Sequence, residues 1–386
     1  MNEYRLRLAQ KIMIDFARDT GLDPPSKRPK RYLWTDAFAM CEFWELFEKT
    51  GDPLFKELAL ALVDQVHNVL GRHREDDERS GWISGLSEDE GRLHPTVGGL
   101  RIGKRLPERG PNDQYDPDLE WERDGQYFHY LTKWMHALNV TWSKTKMDHF
   151  LIWAVELAKT AHRAFTHEVA GTRLMYWKMS IDLSRPLVTS MGQHDPVDGL
   201  VTFMELDSSA QKAGLDTDLS KEISEMAQMC NQVQLVTEDP LGIGGLLFDA
   251  TRTFQIEKRD LLKEMGELTP WLLSGGVQGL KLFAASSCLS LPAWQRLAFR
   301  ELGLSIGLSG LSRMQKNLEK GGSNRFSHSG LSKVIEEGLK FWNLKKEIEN
   351  FWLKEENRLS PTWLEHLDIN RVMLAVSLFP DAFLPV

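Results

Sequence analysis

Cysteine is scarce in this chain. Cys41, Cys230 and Cys288 are its only three in 386 residues, an odd number, far apart, each within an apolar stretch that reads as helix. That excludes a disulfide framework and a thiolate zinc cluster. Long hydrophobic runs are missing as well. The most apolar region, Leu268 to Leu291, is broken by Lys281 and by paired glycines, and reads as buried helix rather than a bilayer span. The opening Met1-Asn2-Glu3-Tyr4-Arg5-Leu6-Arg7 carries charges where a signal peptide needs apolar residues, so the expected location is cytoplasmic. No excess of positive charge exists either. The net charge is −8 and the pI about 5.8, which argues against nucleic acid or an anionic membrane as partner. The basic run Lys27-Arg28-Pro29-Lys30-Arg31 lies between two helical patterns and lacks interleaved aromatics.

Several motifs are absent too. There is no His-Glu-x-x-His, no Cys-x-x-Cys, no phosphate-binding Gly-x-x-x-x-Gly-Lys-Ser/Thr and no Gly-x-Ser-x-Gly elbow. Gly242-Ile243-Gly244-Gly245-Leu246 is glycine-rich, but no strand pattern precedes it. No cofactor and no metal are expected on these grounds.

What is present is helical periodicity, in an ordinary globular composition of 42% hydrophobic and 26% charged residues. Helices are expected at about 3–19, 35–49, 53–71, 124–142, 146–167, 198–213, 217–236, 243–258, 260–282, 292–316, 329–358 and 369–378, with one strand candidate at Leu174–Met179. Their character alternates. Residues 53–71 and 146–167 carry one apolar stripe, as outer helices do. Phe38–Trp44, Tyr127–Leu131 and Leu302–Leu308 are apolar on nearly every side, as inner helices are. About twelve alternating helices imply an all-α closed double ring of hairpins, an (α/α)6 barrel formed by a single domain over residues 1–386. An open superhelical array is the competing architecture.

Two connections, 72–123 and 168–197, are too long to be simple links. The first gathers Trp82, His94, Arg101 and an acidic run ending in Trp121-Glu122-Arg123-Asp124-Gly125-Gln126-Tyr127. Carboxylates and arginine suit sugar hydroxyls and aromatics suit the apolar sugar face, although a solvated acidic loop has the same composition. The second ends in Gly192-Gln193-His194-Asp195-Pro196-Val197-Asp198-Gly199, where a proline and two glycines fix a histidine and two carboxylates at a helix start. Asp36, Asp124 and Asp198 each mark the start of an inner helix. Such residues serve as caps, and at one rim of a hairpin ring they serve equally as a site. His129 and His136 share a helix face and suit either a metal or the core; His67 with Asp64 reads as a buried pair, and His149, His162 and His167 as outer-surface residues.

The alternating helices, Trp34-Thr35-Asp36-Ala37-Phe38, Trp121-Glu122-Arg123-Asp124-Gly125 and Asp198-Gly199 together resemble the six-hairpin glycosidase-like superfamily across most of the chain. The resemblance implies a carbohydrate pocket at the inner-helix N-termini, with a small-molecule sugar or an oligosaccharide as substrate. In a glycoside hydrolase the two working carboxylates are expected to be Asp124 and Asp198, with His194 and Asp195 tuning them. Asp36, His94 and Arg101 would line the pocket, and Trp82, Tyr127 and Trp177 would stack on the sugar. A sugar epimerase would instead use His94 and His194, and a metal-dependent enzyme His94, His194 and Asp195. A non-catalytic helical scaffold would show an exposed apolar stripe, for which Phe341-Trp342, Phe351-Trp352 and Trp363 are the candidates.

Overall fold

The computed structural model describes residues 2–257, 268–320 and 328–384, and the chain forms two compact units, Ala17–Val233 and Met1–Phe16 with Gln234–Val386. The first helix, α1, covers Asn2–Asp19. In the Ala17–Val233 unit follow α2 (Leu33–Thr50), α3 (Pro53–Leu70), the short α4 (Glu88–Leu93) and α5 (Pro117–Glu122), strand β1 (Gln126–Tyr127), α6 (Phe128–Thr145) and α7 (Asp148–Phe165). Strands β2 (Thr166–Val169), β3 (Thr172–Met175), β4 (Lys178–Met179) and β5 (Pro186–Val188) precede α8 (Asp195–Ala213) and α9 (Ser220–Cys230).

Three hairpins organise this unit: α2 with α3, α6 with α7, and α8 with α9, with α6 packed between α2 and α8. Sequence decides which partner goes inside. Helix α2 is buried without interruption from Leu33 to Leu46, and α8 from Asp195 to Leu206, because neither has a charged face to offer solvent. Helices α3 and α7 bury one stripe and expose the other. Asp52 and Pro53 start α3, the Asp52 carboxylate accepting from the Leu54 N–H at 3.0 Å.

The two long connections meet. β1 at the end of the first pairs antiparallel with β4 of the second, and β4 with β5. Gly125, at φ +148°, makes this seam possible, since a Cβ there would lie 2.7 Å from the Met179 carbonyl oxygen. The strand expected at Leu174–Met179 is instead divided. β3 pairs with β2 and ends at Met175, Tyr176 and Trp177 leave that ribbon, and β4 joins the other sheet.

The second unit holds α10 (Pro240–Glu257), α11 (Leu268–Ala285), α12 (Ala298–Lys320), α13 (His328–Leu339), α14 (Trp342–Leu353), the short α15 (Pro361–Glu365) and α16 (Leu367–Leu378). Helices α10 and α12 touch backbone to backbone. A Cβ on Gly244 would strike the Gly303 carbonyl, and one on Gly307 would lie 2.7 Å from the Gly244 oxygen. The glycine-rich 242–246 segment is thus a helix-packing surface. The helix expected over 329–358 breaks after Leu339 into α13 and α14. Of the aromatic stripe, Trp352 and Trp363 are buried and stacked at 5.5 Å, whereas Phe341, Trp342 and Phe351 are half-buried. Cys288 departs from expectation: it lies in an exposed turn, beyond the end of α11. The start of the expected 260–282 helix and the last residue of the 243–258 helix fall outside the described residues. Among the described residues no helix is long and apolar enough to cross a membrane.

Candidate functional site

The long connections are held by cations buried or half-buried among carboxylates. Arg79 grips Asp77, Glu108 and Asp182, each within 2.8 Å. Its guanidinium pulls the Asp77 carboxyl down to about 2. Lys178, buried on β4, donates to the Glu120 carboxylate at 2.9 Å and to the carbonyls of Glu120 and Arg123 at 2.7 and 2.8 Å. Arg109 pairs with Glu120 at 2.9 Å and reaches the Leu187 carbonyl at 3.1 Å. The mixture of acids and arginines read in the sequence as pocket chemistry is largely what ties these loops together.

Asp124 is the centre of that framework. It is fully buried, and both oxygens are engaged. Oδ2 accepts from Arg101 at 2.9 Å and Arg74 at 3.1 Å, and Oδ1 from the N–H groups of Gly103 and Gly125 at 2.9 and 3.1 Å. Arg101 spends its other donors on the carbonyls of Arg72 and Val69. Trp82 is buried, covered by Arg72 at 4.1 Å, and pressed on Gly91.

The start of α8 is built differently. His194 is the N-cap residue, Asp195 opens the helix and Pro196 follows. Asp198, in the same first turn, accepts from Lys133 Nζ at 2.6 Å and from the Thr132 hydroxyl. Asp195 is 6% exposed, yet its Oδ2 has no hydrogen-bond partner, and Gly192 lies against the carboxylate. Opposite, His129 Nδ1 of α6 stands 3.7 Å from Asp195 Oδ1 and is likewise buried without a hydrogen-bond partner. Strand β1 and the first turn of α6 deliver aromatics around this pair. Tyr127 stacks on His129 at 5.4 Å, and Tyr130 meets His129 at 4.8 Å. Trp177, between β3 and β4, lies 6.5 Å from His129 and 4.9 Å from the exposed Trp121. The Tyr32 hydroxyl meets that of Tyr130 at 2.6 Å. Burial raises the Tyr32 and Tyr127 phenols, so both stay protonated at neutral pH.

The structure therefore brings Asp195, Asp198, Tyr127 and Trp177 to one region, with His194 beside them at the helix start. It places the others elsewhere. Asp36 lies within the first turn of α2, buried, accepting from the Tyr32 N–H at 2.9 Å and paired with Arg31. His94 sits half-exposed against Glu156 of α7 at 2.5 Å. His129, Tyr130, Tyr32 and Trp121 were not singled out for the pocket. The signals for His129 were its place on the Tyr127–Leu131 segment and the helix face it shares with His136. His136 is a core residue, bonded to Glu205 of α8 at 3.0 Å. His67 accepts from Trp134 Nε1 at 3.1 Å rather than pairing with Asp64, which faces solvent, and His162 is buried against Glu225 at 2.9 Å. Among the described residues no group of three or more His, Cys, Asp or Glu is arranged to hold a metal ion.

No family model matches this chain, and no curated protein matches it. Solved structures do. An α-mannanase of family GH76 from Bacteroides thetaiotaomicron aligns over 100% of this chain and 97% of its own, with TM-score 0.58 and 9% identity. The GH76 α-1,6-mannanase of a Salegentibacter species aligns over 98% and 99%, with TM-score 0.53 and 10% identity. An inactive variant of that enzyme, with two consecutive aspartates replaced and α-1,6-mannotetrose bound, aligns over 99% of each chain, with TM-score 0.54 and 12% identity. The chain thus shares an (α/α)6-barrel fold with these mannanases.

Proposed function

We propose that the protein is a carbohydrate-active enzyme that cleaves a glycosidic bond by acid/base chemistry at the starts of α6 and α8. One observation carries this reading: Asp195 Oδ2 and His129 Nδ1 are buried without hydrogen-bond partners, side by side in an aromatic-walled region. Buried polar atoms are nearly always satisfied, and an unsatisfied pair beside tryptophans suits a ligand that brings hydroxyls and an apolar face. Glycoside hydrolysis needs a proton donor and a second carboxylate. Asp195 and Asp198, one turn apart on α8, supply two, with Trp177 and Trp121 as the stacking surfaces.

Asp124 fits a different role. Two guanidinium groups and two backbone N–H groups leave it nothing to give a substrate, and we assign it, with Arg101, to holding the wall. The fold shared with the mannanases supports a sugar substrate. This chain has one pair of consecutive aspartates, Asp76-Asp77, and each is forked by an arginine, Asp76 by Arg74 and Asp77 by Arg79. The acid/base pair is therefore sought on α8. His129 beside Asp195 also favours a second reading, proton removal and return at a sugar carbon, as in an epimerase.

The test is turnover of the purified chain on α-1,6-manno-oligosaccharides, aryl glycosides and reducing disaccharides, with products resolved by chromatography. Shortened products that vanish in Asp195→Asn support hydrolysis. A product of unchanged mass that vanishes in His129→Gln supports epimerisation. Activity untouched by either substitution would sink both readings.

A further inference from the structure

Lys104 stands at the same aromatic cluster without a counter-ion. Its Nζ lies 5.7 Å from the centre of the Tyr32 ring and makes no hydrogen bond or ion pair. The side chain is partly buried, and burial pushes the ammonium below the usual lysine range. Five other basic groups of these loops are answered: Arg74, Arg79, Arg101, Arg109 and Lys178 each meet a carboxylate within 3.1 Å. The carboxylates that act on Lys104 do not pair with it. Glu122 is exposed, and Asp124 is already taken by two arginines. The main chain beneath is fixed, because Arg74 donates to the Lys104 carbonyl at 2.7 Å.

From Lys104 the wall is continuous to the acid/base pair. Tyr32 under the ammonium bonds Tyr130, Tyr130 packs on His129, and His129 faces Asp195. A cation held partly out of water gains most from an anion that arrives with its own partners removed. A neutral sugar offers it only hydroxyls.

We propose that Lys104 recognises a carboxylate or a phosphate on the sugar, so that the substrate is an anionic carbohydrate. This rests on the sugar reading of the same site. A charge-assisted hydrogen bond at a partly desolvated position favours the anionic sugar by about tenfold to a hundredfold over its neutral parent.

Titration calorimetry on the full chain, at fixed ionic strength, decides it with glucose, glucuronate, glucose 6-phosphate and inorganic phosphate as probes. The expected result is that glucuronate or glucose 6-phosphate binds at least tenfold more tightly than glucose, and the stronger of the two names the anion. Lys104→Gln should bring that ratio close to one without weakening glucose, and Lys104→Arg should keep it. Equal binding of all sugars, or a preference that survives Lys104→Gln, overturns the proposal. If glucose binds and Asp195→Asn abolishes it while no anionic preference appears, Lys104 is refuted and the sugar reading stands. If phosphate binds through Lys104 and no sugar binds, the sugar reading falls, and the anionic-carbohydrate proposal falls with it. Silence from every probe overturns both.

Discussion

Asp124 and Asp195 are both buried aspartates at the threshold of an inner helix, and they have been put to opposite uses. Asp124 is saturated by Arg74, Arg101 and two backbone N–H groups. Asp195 keeps an oxygen with no partner, next to a histidine in the same condition. Burial alone therefore does not separate the two aspartates; the donors already committed to each do, and under the proposed reading the open oxygen of Asp195 is the one left for a ligand.

The contrast should be most visible in turnover. Asp195→Asn is expected to lower the rate about a hundredfold to ten-thousandfold while leaving the urea midpoint nearly in place. Asp124→Asn should do the reverse, costing about 3–5 kcal/mol of stability by leaving Arg101 without its carboxylate and Arg74 with Asp76 alone, as read from urea unfolding. If Asp195→Asn proves the more destabilising of the two, the division of labour is wrong. A smaller loss tests the other unit. Gly244→Ala forces a methyl against the Gly303 carbonyl and should cost about 1–3 kcal/mol, with sugar binding unchanged in calorimetry.

The smallest effects are in pH dependence, where two buried groups act with opposite sign. Burial holds the His67 imidazole down to about 3, whereas in the unfolded chain it protonates near its ordinary value. Its contribution is complete above about pH 6.5 and is lost as the pH falls towards 3, at no more than about 1.4 kcal/mol per pH unit. His67→Gln should flatten urea midpoints between pH 4 and pH 6. Glu42, buried with neither oxygen bonded, is raised well above its ordinary value by burial and then by Glu45. Its contribution is complete below its unfolded value and is lost as the pH rises. Glu42→Gln should therefore stabilise the protein at pH 7 and do so less at pH 4; an equal gain at both would remove Glu42 from the account.

Much of the fold was legible because burial leaves a periodic trace. Phe38–Trp44 and Leu302–Leu308 lack a polar face and are buried segments of α2 and α12, and in Tyr127–Leu131 the buried residues are Tyr127, Phe128 and Leu131 at the start of α6. The cluster at 192–199 was legible as a presented group because proline and glycine fix its backbone locally. The role of Asp124 was not. Its arginines lie 50 and 23 residues away, and nothing in the spacing announces that they converge. Lys104 was overlooked for the related reason that lacking a partner is a property of three dimensions. His129 was read with His136 as one helix face, whereas α6 sends one to the aromatic wall and the other to Glu205 in the core.

The Lys178 ammonium has a consequence for how such a chain can change over generations. It closes on Glu120 and Arg123 of one connection while sitting in the β-strand of the other, and Gly125 admits that strand only at close range. An insertion or deletion in either connection would shift these partners out of register and leave a buried charge unanswered. The two segments are thus expected to vary together, with new specificity arising by exchange of side chains on the wall rather than by a change of loop length.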